Sequence, residues 1–152
     1  MKKNGFTVIE VALVLAIAGM IMLLAFLALP GLQRSQRDST RKDDIMRLAD
    51  SIKRFQSNNN RGALPSSTDL SGFAEKYLDS NFADPKCDKY VLVWDSLEGK
   101  PSNKIDAKNN PKIVFVVSAK CGDENKAVYS NNNRKAVLLY KLEVGGTFCF
   151  EL

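Results

Sequence analysis

The distribution of apolar positions divides this chain into three regimes. Residues 2–4 are Lys-Lys-Asn, and from Val11 to Leu32 no residue is charged. A helix rises about 1.5 Å per residue, so a run of this length can cross a bilayer. From Gln33 the chain turns polar and charged, but Ile45, Leu48, Ile52 and Phe55 recur at spacings of three and four. That spacing predicts an amphipathic helix continuing the first. Asp43 with Arg47, and Asp50 with Arg54, stand four apart and would support it as ion pairs. Ser57-Asn58-Asn59-Asn60-Arg61-Gly62 has breaker chemistry, so the helix should end near Gln56.

Beyond the break, the period changes. Asp69 is placed to cap a short helix carrying Leu70, Phe73, Tyr77 and Leu78. Asp84-Pro85 reads as a turn. Four β-rich runs follow: Tyr90–Trp94, Ile113–Val117, Ala136–Leu142 and Thr147–Leu152. Gly145-Gly146 joins the last two as a hairpin turn. Alternation then sends Phe148, Phe150 and Leu152 to one face and Cys149 to the other. Ser96–Pro111 and Ser130–Lys135 read as solvated loops. The expectation is an α+β chain, with a small antiparallel sheet packed on the Ile45/Leu48/Ile52/Phe55 face.

Two details of the apolar run bear on what it does. It exceeds the roughly 7–15-residue core of a signal peptide, and no small-x-small cleavage site follows it. Glu10 stands at its lip, where a carboxylate near hydrocarbon is costly and calls for a partner charge. Pro30-Gly31 should weaken or kink the helix, since proline removes a backbone donor and clashes with the turn before it. Ala12 and Ala16 could let helices approach closely, or serve as plain helix filler.

Residues 1–34 resemble a type IV prepilin. The resemblance rests on Lys2 and Lys3 in a very short leader, Gly5 before Phe6, Glu10 four residues after Phe6, and the apolar helix directly behind. It implies a leader over residues 1–5, a membrane and filament-core helix over 6–32, an amphipathic half over 33–57 and a globular head over 58–152. It implies cleavage between Gly5 and Phe6 by a membrane-embedded peptidase and methylation of the new N-terminal Phe6. It also implies that Glu10 pairs with the terminal amine of a neighbouring subunit. Gly19 matches a family glycine that, with a proline, bounds a stretch that melts in the filament; Pro30 lies a few residues beyond the usual proline position.

The resemblance further implies partners: a prepilin peptidase, an assembly ATPase with its platform protein, the membrane, and copies of the chain in a helical filament. Fibres of this kind serve adhesion, twitching motility and DNA uptake, so DNA or a cell surface is a further partner class. A minor pilin or secretion pseudopilin, and a membrane-anchored binding module such as a DNA receptor, are the alternatives. Such subunits often tie a C-terminal loop back with one disulfide, which selects Cys121 with Cys149; Cys87 could instead pair with either.

Composition narrows the field further. Histidine is absent, which removes the commonest general base and metal ligand. No phosphate loop, nucleophile set or Cys-x-x-Cys pair is present, so nothing points to an enzyme or a cofactor. Asp123-Glu124-Asn125 could hold calcium or form a solvated turn. Net charge is +5; without Lys2, Lys3 and Glu10 the rest holds 20 basic and 16 acidic groups, a mildly basic surface. Lys2 and Lys3 should keep the N-terminus in the cytoplasm and put the rest of the chain outside.

Overall fold

A computed structural model of the chain describes residues 5–58, 62–70, 72–79, 81–87, 89–96 and 112–152. One helix, α1 (Val8–Asn58, 51 residues), dominates it. At 1.5 Å per residue it is about 77 Å long. Two short helices follow, α2 (Ser67–Leu70) and α3 (Phe73–Tyr77). Then come six strands: β1 (Val91–Ser96), β2 (Lys112–Val117), β3 (Ala119–Cys121), β4 (Ala127–Tyr129), β5 (Ala136–Lys141) and β6 (Thr147–Glu151). This is the expected α+β, pilin-like layout of a long N-terminal helix on a small sheet.

The main sheet has the order β1-β2-β5-β6. β2/β5 and β5/β6 are antiparallel, with Phe115 opposite Leu138 and Leu139 opposite Cys149. β1 departs from the expectation: it pairs parallel to β2, Val91 with Lys112, so the sheet is mixed. A parallel return needs a connection of about a dozen residues or more, and residues 97–111 supply that length. The loop expected over Ser96–Pro111 lies almost wholly in those residues, outside the described ones. β3 and β4 form a separate two-stranded hairpin beyond the four expected strands. Their three-residue lengths carry too little alternation to read.

Side-chain alternation sorts the core into two layers. On the front face Ile113, Phe115, Ala136, Leu138 and Tyr140 meet Ile45, Leu48, Ala49 and Ile52 of α1. Phe148, Phe150 and Leu152 join that front layer, as their alternation predicts. On the back, Val116, Val137 and Leu139 pack with Ala119 and Ala127 of the β3–β4 hairpin, and Cys149 joins them. The chain turns from β2 into that hairpin at Ser118, whose φ of 54° lets the strand change direction.

Short helices are set by local chemistry. Ser66 accepts the Asp69 N–H at 3.3 Å, and Asp69 accepts the Ser66 N–H at 3.0 Å. This reciprocal pair is a capping box. Ser66 is therefore the cap and Asp69 the residue that answers it, not the cap itself. Phe73 stacks on Tyr77 with centroids 4.6 Å apart, and Phe55 meets both edge-on. These rings tie α3 to the far end of α1.

Candidate functional site

Two places in α1 concentrate the chemistry: its N-terminal lip, and the buried zone where it enters the head. At the lip Phe6 is 89% exposed, and Gly5 has nothing within 4 Å of where a Cβ would sit. Lys2 and Lys3 lie outside the described residues. Thr7 and Glu10 form a second capping box. The Glu10 Oε2 accepts the Thr7 N–H at 2.9 Å and the Thr7 hydroxyl at 2.8 Å, and the Glu10 N–H reaches back to the Thr7 oxygen at 3.4 Å. Its signature, Thr-x-x-Glu before an apolar run, stood in the sequence unread. The structure thus gives Glu10 an intrachain partner and leaves its other carboxylate oxygen without a hydrogen bond among the described residues.

From Gly5 to Gln36 every residue is exposed, including the whole apolar run. This one helix is long and apolar enough to span a membrane, and its apolar window buries nothing against the rest of the chain. α1 runs unbroken through Gly19, Pro30 and Gly31, so the expected weakening at Pro30-Gly31 does not interrupt it in the single chain. Proline deletes one rung of the ladder, from its own nitrogen, while the helical turns on both sides remain complete. Gly19 and Gly31 face open space.

The second place begins at Arg37. Arg41, with its side chain 4% exposed, is the hub. It donates to Asp84 at 2.7 and 3.1 Å, to Glu143 at 2.7 Å and to Asp38 at 3.0 Å. Arg37 makes a second contact to Glu143 at 2.7 Å. Asp38 in turn accepts the backbone N–H groups of Glu143 and Val144, both at 3.0 Å. Asp84 also accepts the Tyr140 hydroxyl and the Lys86 and Cys87 N–H groups. Asp84-Pro85 is thus the expected turn, with its carboxylate turned inward. Among the described residues no buried side-chain polar atom lacks a partner.

These contacts set the charges. Arg37 hydrogen-bonding and Arg41 beside it outweigh burial and hold Glu143 down at about 2. Burial opposes ionisation of Asp84 and Asp38, but Arg41 and the donated N–H groups win and keep both below the usual carboxylate range. Burial likewise opposes the charge on Arg41, and its three carboxylates more than restore it. Asp44 goes the other way: burial pushes it up, although Tyr90 donates to it at 2.9 Å.

Neither expected surface pair forms. Arg47 reaches Asp79 at 2.7 Å and Asp44 at 3.4 Å in place of Asp43, and Asp50 makes no ion pair with Arg54.

Cys121 and Cys149 are joined, with Cα atoms 5.9 Å apart, and the bridge fixes β3 to β6 on the back of the sheet. Cys87 is free and half-buried. Asp123–Asn125 is a 3₁₀ turn in which Glu124 pairs with Lys126, and no group of three or more metal-ligating side chains occurs among the described residues. Leu70, Phe82, Tyr90 and Leu92 line an open groove of about 720 Å³ between α2, α3 and β1. Nothing in it converges as a catalytic set. Compared with family models, curated proteins and solved structures, the chain finds no match.

Proposed function

We propose that the chain is the structural subunit of a helical filament of the type IV pilin kind. It is made as a precursor, cut between Gly5 and Phe6, methylated at Phe6, held in the membrane by residues 6–32, and then added to the fibre. The observation that carries this reading is the exposed apolar half of α1, fused without a break to a folded head. Such a surface needs either lipid or other apolar helices around it, and identical copies of itself provide the second. Contacts that repeat without closing a ring build an open fibre. Glu10, with one oxygen left over, supplies a site for a neighbour's terminal ammonium, and an uncompensated charge in that setting enforces register. The partners are a prepilin peptidase, an assembly ATPase with its platform protein, and further copies of the chain.

The test is intact mass and N-terminal sequencing of material sheared from the cell surface. A chain starting at methylated Phe6, two protons lighter for one disulfide, is expected. A chain that keeps Met1 and stays with the membranes would overturn the reading. Glu10→Ala should leave cleavage at Gly5 intact and abolish fibres; normal fibres from that variant would remove Glu10 from assembly.

A further inference from the structure

The head has an end that faces the apolar half of α1. Lys53 lies over the Phe150 ring and Lys42 over Phe148. Asp38 holds the N–H groups of Glu143 and Val144. Descending α1 from Lys53 to Asp38 therefore descends β6 from Phe150 to the β5–β6 turn. The turn points toward the apolar run.

Its height can be placed. Asp38 stands six residues past Leu32, the last residue of the apolar run. That is about 9 Å along the helix axis. The polar layer on each side of a bilayer is about 5–7 Å thick, from a 30 Å hydrocarbon core inside 40–45 Å overall. Held to Asp38 through the N–H groups of Glu143 and Val144, the turn stands within a few ångströms of the outer edge of that layer.

The tip has the chemistry for it. Val144 is 68% exposed and packs in neither core layer. Gly145 and Gly146 follow with φ of 115° and 83°, and a Cβ on either would meet open space. Exposed Arg34 lies between the apolar run and the tip, and exposed Lys141 flanks the tip. Neither has an ion-pair partner among the described residues. The nearest acids, Asp38 and Glu143, are spent on Arg37, Arg41 and backbone N–H groups. The surface turned toward the bilayer is thus cationic with one apolar side chain protruding. Anionic headgroups attract the first and the interface accepts the second.

We propose that the β5–β6 turn, Val144 to Gly146, with Arg34 and Lys141, is a foot that rests in the headgroup layer of an anionic bilayer while α1 spans it. The inference rests on the reading that residues 6–32 span a membrane before assembly. The Arg41 hub makes the foot and α1 one body, so seating the foot fixes the depth of the helix and which of its apolar faces is turned toward an incoming neighbour.

The experiment uses the full chain with Cys87→Ser, reconstituted in phosphatidylglycerol-containing vesicles. An environment-sensitive fluorophore is attached in turn at Val144→Cys, at Leu24→Cys inside the span and at Tyr129→Cys on β4. The Val144 label should show blue-shifted emission and loss of iodide quenching relative to the Tyr129 label, and both effects should shrink in purely zwitterionic vesicles. A Val144 label quenched like the Tyr129 label, with the Leu24 label shielded, would overturn the foot and leave the span standing. Quenching at all three sites would overturn both. Equal shielding of Val144 in anionic and zwitterionic vesicles would overturn the assignment to anionic headgroups.

Discussion

The two halves of α1 are one continuous helix with opposite dependencies. Residues 8–36 are all exposed, and the apolar window among them is buried nowhere against the rest of the chain. Residues 38–52 bury Asp38, Arg41, Asp44, Ile45, Leu48, Ala49 and Ile52 against the sheet. In a protein most helical stability comes from packing rather than from propensity. The second half therefore owes its form to the head, and the first half must find its environment outside the chain. The apolar residues of the first half thus do nothing for the fold of the single chain. Their identity is available to serve association.

Removing the hub would break this contrast most severely. Arg41→Ala leaves Asp38 and Asp84 buried without their shared cation, while Glu143 keeps Arg37. Losing one partner of a buried ion pair costs about 3–5 kcal/mol. The loss should appear in denaturant unfolding of the detergent-solubilised chain, with membrane insertion of residues 6–32 unchanged. A pair of matched truncations would sharpen the contrast. Leu48→Ala should cost about 2–5 kcal/mol of head stability, whereas the same change at Leu24 should shift it by less than about 0.5 kcal/mol. Equal effects at both positions would mean that the halves are not independent.

Reduction of Cys121–Cys149 should cost about 2–4 kcal/mol, all of it in the head, read as a lower midpoint with and without reductant. A further effect is on pH. Asp38, Asp84 and Glu143 have folded values below their unfolded ones, near 4. Their stabilisation is complete above that range and is lost as pH falls toward about 2. Asp44, pushed up by burial, acts in the reverse sense and partly offsets the loss. Head stability measured from pH 7 to pH 2 should fall; a flat profile would show that the hub contributes nothing.

Legibility in the sequence followed periodicity. The stripe Ile45, Leu48, Ile52, Phe55 identified the packing face because every member is apolar. The same three-and-four spacing runs backward through Arg41 to Asp38, so the hub's helical half was present in the pattern as charged residues at core positions. Its other half, Asp84 and Glu143, comes from distant segments that no local spacing connects. β1 read correctly as a strand, but its direction depends on its connection to β2 and not on its own residues. At the lip the local rule was sufficient: Thr7 and Glu10 carry the same capping signature as Ser66 and Asp69, and both boxes formed. What the sequence does not encode locally is which of two donors, Thr7 or a neighbour's amine, Glu10 serves.

The alignment of β6 with α1 also has a mechanical meaning. Phe148 and Phe150 follow the helix under Lys42 and Lys53, with the hub below them. A pull along the axis of α1 therefore meets these contacts in shear, all strained together, rather than peeling them one after another. The β3 edge is welded to β6 through Cys121–Cys149, so the strand that takes this strain cannot slide without carrying the back layer with it. A chain built in this way should resist extraction of its helix by tension better than the small size of its sheet would suggest.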